Sequence, residues 1–267
     1  MKMDAGSSRT SCSLATLRLL LLVGMVIMAV VIVTWSIGDH IRICTSDTHV
    51  HVQGPTSRPS WEYNWDRRGQ QVNNTSDIPS RIIILIRHGK YDLGTGHLNE
   101  QGKQQADLTG KRLAEMNWPW DFLHYSPLDR AVETADIIHK HISQVPKMVD
   151  YDIREGGPVP PKPTITYWGL PGTTYHEDGP RLEGAFRKIF HRPERGKQTH
   201  RSHEIYVGHG NIFRFFTLRA LQLPPEAWMR VFIPHGSMTI LHIQGNGIVH
   251  LDHFGDAGFM PHNLISY

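Results

Sequence analysis

Residues 82–86 read Ile-Ile-Ile-Leu-Ile, five apolar side chains in a row with no polar alternation. A strand that faces water on one side alternates, so an unbroken β-branched and Leu run belongs to a strand buried on both faces. That demands cover above and below, which restricts the fold to a layered arrangement of helices on a sheet. Glu204–Val207 reads as a second buried strand and Phe122–Tyr125 as a shorter one. Helices are expected over Leu98–Met116, with Ala106, Leu113 and Ala114 inward, and from Ser126-Pro127 through about His141. Further helices are expected from Pro180, a residue suited to a first turn, through Phe190, and from Asn211 to about Leu221. Two strands, 237–243 and 248–254, flank the hairpin signal Gly245-Asn246-Gly247. The expected fold class is α/β: three layers, a mainly parallel sheet with helices on both faces, and no internal repeat.

This pattern occupies residues 81–267, a length that supports one hydrophobic core. Both cysteines, Cys12 and Cys44, precede it, so no disulfide staples the domain. Ahead of it, residues 19–38 (LLLLVGMVIMAVVIVTWSIG) hold no charge. As a helix rising ~1.5 Å per residue they would span roughly 30 Å, the hydrocarbon thickness of a bilayer, with Trp35 near one interface. The run is longer than a secretory leader's apolar region and no convincing small-x-small cleavage site follows, so it reads as a retained transmembrane anchor. Residues 1–18 form a short basic tail, Lys2, Arg9 and Arg18 against Asp4, which would stay on the cytosolic or matrix side. Residues 39–80 read as a stem, interrupted by Pro55, Pro59 and Pro79. Its Trp61-Glu62-Tyr63-Asn64-Trp65-Asp66 patch is either a contact site or a segment lying on the body of its own chain, and composition leaves both open. The formal charge of +3 is too small over 267 residues to argue for a nucleic-acid partner.

In an α/β sheet, ligands bind past the carboxyl ends of the strands. Arg87-His88-Gly89 follows the first buried strand, and Gly208-His209-Gly210-Asn211 follows another and leads into a helix, whose free N–H groups favour an anion. Ser126-Pro127-Leu128-Asp129-Arg130-Ala131-Val132-Glu133-Thr134 again runs from strand to helix and puts Arg130 in a first turn. Two Arg, two His and a helix N-terminus at one place describe a phosphate pocket. Arg matches phosphoryl oxygens with planar, permanent donors, and a neutral imidazole can attack phosphorus. A carboxyl must then protonate the leaving oxygen and later activate water; Glu155, in a loop after the next strand, is best placed. His139/His141 and His250/His253 do not share a face of their elements and no carboxylate completes a set, so no metal site is expected.

These elements in this order resemble the histidine phosphatase superfamily, the phosphoglycerate mutase-like fold: Arg87-His88-Gly89, Leu98-Asn99-x-x-Gly102-x-x-Gln105-Ala106, residues 126–134, Ile153-Arg154-Glu155-Gly156 and residues 208–211. The resemblance implies His88 as phosphorylated nucleophile, and Arg87, Arg130, His209 and Asn211 around the phosphate. It also implies Glu155 as proton donor and acceptor, with no metal or other cofactor. The stretches 209–214, 220–228 and 255–261, and the anchor, are similar to a mitochondrial serine/threonine phosphatase branch of that superfamily. That branch carries a Trp-Asp-x-Asn-Trp-Asp multimerisation motif, matched by residues 61–66 except at Glu62, which implies self-association through Trp61, Asn64, Trp65 and Asp66.

The expected function is a membrane-anchored, metal-independent protein serine/threonine phosphatase. Its partners would be phosphoserine or phosphothreonine proteins, further copies of itself, and a membrane. One alternative is a tethered oligomeric scaffold with incidental phosphatase activity. Another is phosphoglycerate mutase; against it, Glu155 is followed by Gly156-Gly157-Pro158 and the loop after Gly89 is short, so neither substrate-carboxylate element of the mutases is present. The resemblance favours a mitochondrial membrane. The anchor, the stem and the overlapping glycosylation acceptors at 73–76 would also suit a type II protein of the secretory pathway.

Overall fold

A computed structural model describes residues 61–68, 79–165, 170–194 and 196–267. The expected anchor at 19–38, the basic tail at 1–18 and most of the stem lie outside the described residues. Among the described residues no helix is long and apolar enough to cross a membrane.

Among the described residues six strands form one sheet: β1 (Arg81–Arg87), β2 (Phe122–Tyr125), β3 (Lys147–Val149), β4 (Ser202–Gly208), β5 (Met238–Ile243) and β6 (Val249–Asp256), in the order β3-β2-β4-β1-β5-β6. β1 to β4 are parallel, and β5 and β6 run antiparallel at one edge. The long helices are α1 (Glu100–Met116), α2 (Asp129–His139), α3 (Gly172–Ile189) and α4 (Gly210–Ala220).

The uninterrupted apolar run of β1 feeds two cores. Ile83 and Leu85 join Phe186 of α3, Phe190 at its C-cap, Phe213 and Phe216 of α4, and Trp228. Ile82, Ile84 and Ile86 point the other way, to Leu113 of α1 and Ile138 of α2. Both sets are almost fully buried, which is why the strand tolerates no polar alternation. At the foot of the sheet the charge that does enter is paired: Arg81 Nε and Nη2 donate to the buried Glu204 carboxylate at 2.7 and 2.6 Å. The three-layer expectation holds.

Two helix boundaries are corrected. Pro180 does not open its helix; α3 begins at Gly172 and carries Pro180 inside. Pro180 is exposed, so the His176 carbonyl that loses its helical donor faces water and the break costs less than in a core. The first turns of α3 are mostly exposed and offer no apolar period, leaving a sequence reader only the proline as a marker. α1 starts two residues later than expected because the Asn99 side chain accepts from Gly102 N at 3.0 Å and caps it.

Residues 61–68 turn back onto their own chain. Trp65 is buried beside Phe186 and donates from Nε1 to Gly247 O at 2.8 Å. Asp66 accepts from Arg192 at 2.7 Å in a pair buried on both sides, and Asn64 Oδ1 accepts from Arg192 Nη2 at 3.2 Å. Trp61 packs half-buried on the same core, whereas Tyr63 stays exposed. Of the two readings left open for this patch, attachment to its own body is the one seen in the single chain.

Candidate active site

The pairing register builds the site. Arg87 lies level with Gly208, so β1 and β4 end together, and His88 N donates to Gly208 O at 2.8 Å. The residues that follow, His88 and His209, therefore stand side by side, ring centroids 5.1 Å apart. β2 ends beside them, with Ser126 N donating to Val207 O at 2.9 Å. The chain leaves β1 through Gly89 because α1 crosses it there at Gly102. A Cβ on Gly89 would lie 2.4 Å from Gly102 O, and one on Gly102 would lie 1.9 Å from Lys90 O. Only two glycines permit that approach.

Each imidazole has a defined role in the hydrogen bonding. His88 Nδ1 is 2.8 Å from Gly89 O, which can only accept, so Nδ1 carries the proton. Nε2 then holds the ring's lone pair, which accepts from Arg130 Nε at 3.1 Å. Burial first, then His209 and the charges of Arg87 and Arg130, drive His88 well below its ordinary 6.5, outweighing the Gly89 bond. His209, at the N-cap of α4, sits 2.7 Å from Ser126 Oγ through Nε2. Burial, with Arg130 and Arg87 next, likewise holds it neutral. Among the described residues its Nδ1 and Arg87 Nε are buried without a partner. Such groups cost about 1–3 kcal/mol each unless something arrives to bond them.

Arg87 is fixed by Nη1 donating to Ile233 O at 2.6 Å and Nη2 contacting His235 Nε2 at 2.9 Å. Burial, with Arg214 next, pulls it down to about 10, which leaves it cationic at neutral pH. Arg130 stands in the first turn of α2 with its guanidinium 4.7 Å over the Tyr91 ring. Asn211 Oδ1 accepts from Arg214 Nη2 at 2.7 Å, so Arg214 orients that amide. The rest of 126–134 ties neighbouring loops together. Thr134 Oγ1 accepts from Gly89 N at 3.0 Å and donates to Arg130 O at 2.7 Å, and Glu133 accepts from Leu98 N at 2.8 Å.

Glu155 reaches the same place from a loop. Burial pushes its carboxyl above the ordinary 4.5, although Gly156 N and the charges of Arg130, Arg214 and Arg87 oppose the shift. A clamp from α3 holds that loop: Arg181 Nη1 donates to Asp152 O and Arg154 O at 2.7 and 2.8 Å, and Asp178 accepts from Arg181 and from Gly157 N. The structure thus brings together His88, Arg87, Arg130, His209, Asn211 and Glu155. The stem residues Trp61, Asn64, Trp65 and Asp66 belong to the separate attachment described above.

Sequence reading missed the residues that hold these groups in place: Ser126, Thr134, Arg181 and His235. Ser126 and Thr134 lie inside the motif that drew attention to Arg130, so a check of its polar positions could have found them. Nothing local marks Arg181 or His235.

A neutral, lone-pair-bearing imidazole among guanidinium groups, near a carboxyl whose pKa burial raises, is the equipment of an enzyme that cleaves phosphomonoesters. The profile of the Histidine phosphatase superfamily (branch 1) matches residues 83–158. The serine/threonine-protein phosphatase PGAM5, mitochondrial, of Xenopus laevis is 39% identical over 246 residues, covering 83% of this chain and 89% of its own. The corresponding protein of Drosophila ananassae is 42% identical over 230 residues, covering 75% and 78%. Among solved structures, a phosphoglycerate mutase from Plasmodium falciparum is 28% identical with a TM-score of 0.50, covering 71% of this chain and 99% of that one. Bacillus stearothermophilus YhfR, at 21% identity and a TM-score of 0.53, shares the fold. The chain belongs to the histidine phosphatase superfamily, in the family of these mitochondrial PGAM5 phosphatases, and it is a phosphatase.

Proposed function

We propose that this chain is a membrane-anchored protein serine/threonine phosphatase in which His88 carries the phosphoryl group between two half-reactions. The observation that carries the reading is His88 Nε2: deprotonated, aligned by Arg130, and flanked by the unpartnered N–H of Arg87 and the unpartnered Nδ1 of His209. In the first half-reaction Arg130 Nε turns its N–H from His88 to a phosphoryl oxygen, the freed Nε2 lone pair attacks phosphorus, the P–O bond to the serine or threonine breaks, and Glu155 gives its proton to the departing oxygen. In the second, the Glu155 carboxylate takes a proton from water, the hydroxide oxygen attacks phosphorus, and the P–N bond breaks to return His88 and release phosphate. Arg87 and Arg130 lie against the transferring oxygens throughout, and no metal or cofactor enters.

Phosphoprotein as substrate is supported by the names of the relatives, serine/threonine-protein phosphatases, and by the Gly/Pro-rich loop after Glu155. There Pro158, Val159 and Pro160 face Tyr175 and Gly179 of α3 across a cleft of ≈ 380 Å³. Residues 19–38 would hold the enzyme in a mitochondrial membrane, in keeping with the relatives' names. Self-association through residues 61–66 would use the aromatic side chain that the chain itself leaves exposed, Tyr63, beside the half-buried Trp61. Full-length protein in detergent, given a phosphoserine peptide and 3-phosphoglycerate in parallel, tests the substrate. Phosphate released from the peptide without 2-phosphoglycerate is expected, and robust interconversion of the two phosphoglycerates would overturn it. Light scattering tests assembly: Trp61→Ala/Tyr63→Ala should lower the mass, and an unchanged mass would reduce the segment to its own-chain contacts.

A further inference from the structure

Arg87 is a long side chain whose usefulness depends on where its guanidinium is held. One hold is the Ile233 carbonyl; the other is the ring of His235, whose centroid lies 5.6 Å from that of His88. A guanidinium can only donate, so His235 Nε2 must accept, and the ring proton must sit on Nδ1. Nδ1 is 3.1 Å from Ser266 Oγ, which accepts it. The main chain repeats the link, His235 N donating to Ser266 O at 2.8 Å. Ser266 is fixed in turn by Gln105, a fully buried residue of α1 whose Nε2 donates to Ser266 Oγ at 2.9 Å and to Leu264 O at 2.6 Å. The same Gln105 takes Lys90 N on its Oε1 at 2.8 Å. The last residues of the chain are thereby bonded both to the loop that follows His88 and to the residue that holds Arg87.

The turn is built for this. Gly236 N donates to Arg87 O at 3.0 Å, and Thr109 Oγ1 donates to Gly236 O at 2.7 Å. Gly236 has φ +72, and a Cβ there would lie 2.8 Å from Met260 Cε and 3.0 Å from Gln105 Cβ, so glycine alone lets the turn close against α1. Burial, with the Arg87 charge next, pulls His235 down to about 3, so the ring stays an acceptor across the working range of pH.

We propose that His235, set in its Nδ1–H tautomer by Ser266, is a positioning residue for Arg87, and that segment 264–267 thereby sets how tightly the site grips a phosphoryl group. The inference rests on the phosphate cradle proposed above. With both Nη groups engaged, the guanidinium cannot swing, and its Nε–H, buried and unpartnered, remains free for a phosphoryl oxygen. Orientation is thus supplied before substrate arrives.

Calorimetric binding of inorganic phosphate to the full-length protein, read beside kcat and KM on a phosphoserine peptide, tests it. His235→Phe keeps a ring but no acceptor, and should weaken phosphate binding about tenfold or more, the scale of one lost charge-assisted hydrogen bond. KM should rise more than kcat falls, since the oxygens are gripped in ground and transition states alike. His235→Gln, which can return an acceptor near the Nε2 position, should recover most of the loss. Ser266→Ala should weaken phosphate binding a few-fold with unchanged melting temperature, and should change the ring-nitrogen NMR shifts of His235 from the Nδ1–H pattern. Phosphate affinity that depends on Arg87, shown by Arg87→Ala, yet ignores both His235→Phe and Ser266→Ala would overturn this inference alone. Affinity indifferent to Arg87→Ala would take the cradle down with it. Should His235→Phe fail to fold, the Ser266→Ala measurements decide by themselves.

Discussion

The two sides of the pocket are made differently. His88, Arg87 and His209 stand at the ends of β1 and β4, strands buried on both faces and paired in register along their length. Glu155 stands on a loop beyond a three-residue edge strand and one turn of 3₁₀ helix, kept in place by Arg181 from α3. The position of His88, the proposed nucleophile, follows from the sheet itself, and moving it would mean moving the core. The position of Glu155, the proposed acid, is borrowed from a helix through a handful of polar contacts. A side held by the core should lose function only when its own reacting groups are changed. A side held by a clamp should also lose it when the clamp is cut.

Four changes separate the sides. His88→Ala should be the most severe, lowering turnover by on the order of 10⁴ or more while the fold persists, because the covalent step then loses its proposed nucleophile. Steady-state turnover with circular dichroism checks this. Next, Glu155→Gln should cost on the order of 10²–10⁴ on a phosphoserine peptide and far less on p-nitrophenyl phosphate, whose leaving group needs no proton. The raised Glu155 carboxyl also gives a sign for pH. As acid it works below its pKa, so kcat on the peptide should fall as pH rises through a value above 4.5, and Glu155→Gln should remove that limb. Equal losses on both substrates would erase the distinction between the sides.

Arg181→Ala should come third, lowering peptide turnover about tenfold while sparing p-nitrophenyl phosphate, because the loop that aims Glu155 loosens and the cradle does not. A uniform loss on both substrates would mean that α3 supports the whole pocket. The smallest effect on activity is expected from Asp66→Asn, remote from both sides. Burial alone would raise the Asp66 carboxyl, but the side-chain and backbone hydrogen bonds of Arg192 outweigh it and the pKa is lowered. A lowered carboxyl stabilises attachment above its ordinary 3.8, and that contribution is lost as pH falls through the still lower folded value. At neutral pH, Asp66→Asn should therefore speed proteolysis around residues 61–68, with turnover and global melting changed little. A large drop in turnover would tie this segment to the pocket.

The same contrast explains what could be read in the sequence. β1, β4, Arg87-His88-Gly89 and Gly208-His209-Gly210-Asn211 were legible because the burial pattern and the chemistry occupy adjacent positions, so a strand end names its own catalytic residue. Arg130 was legible because its motif starts a helix. Arg181 and His235 were not, since their partners lie 26 and 148 residues away and only folding brings them together. Pro180 misled because a helix N-terminus and an exposed helix interior both accept proline. The aromatic patch of the stem was undecidable for a related reason: a tryptophan's need for cover does not say whose surface provides it, and here Trp65 takes Phe186 and Gly247 of its own chain.

The central claim is that His88 Nε2 carries the phosphoryl group. Its most direct test is a rapid quench at alkaline pH, where phosphohistidine survives, of full-length Glu155→Gln mixed with a phosphoserine peptide, followed by mass spectrometry of the peptide bearing residues 82–90. Phosphate on His88, lost on acid treatment and absent from His88→Ala, is the predicted result. Phosphate on another residue, or full peptide turnover with no phosphoryl-enzyme at any quench time, would contradict it.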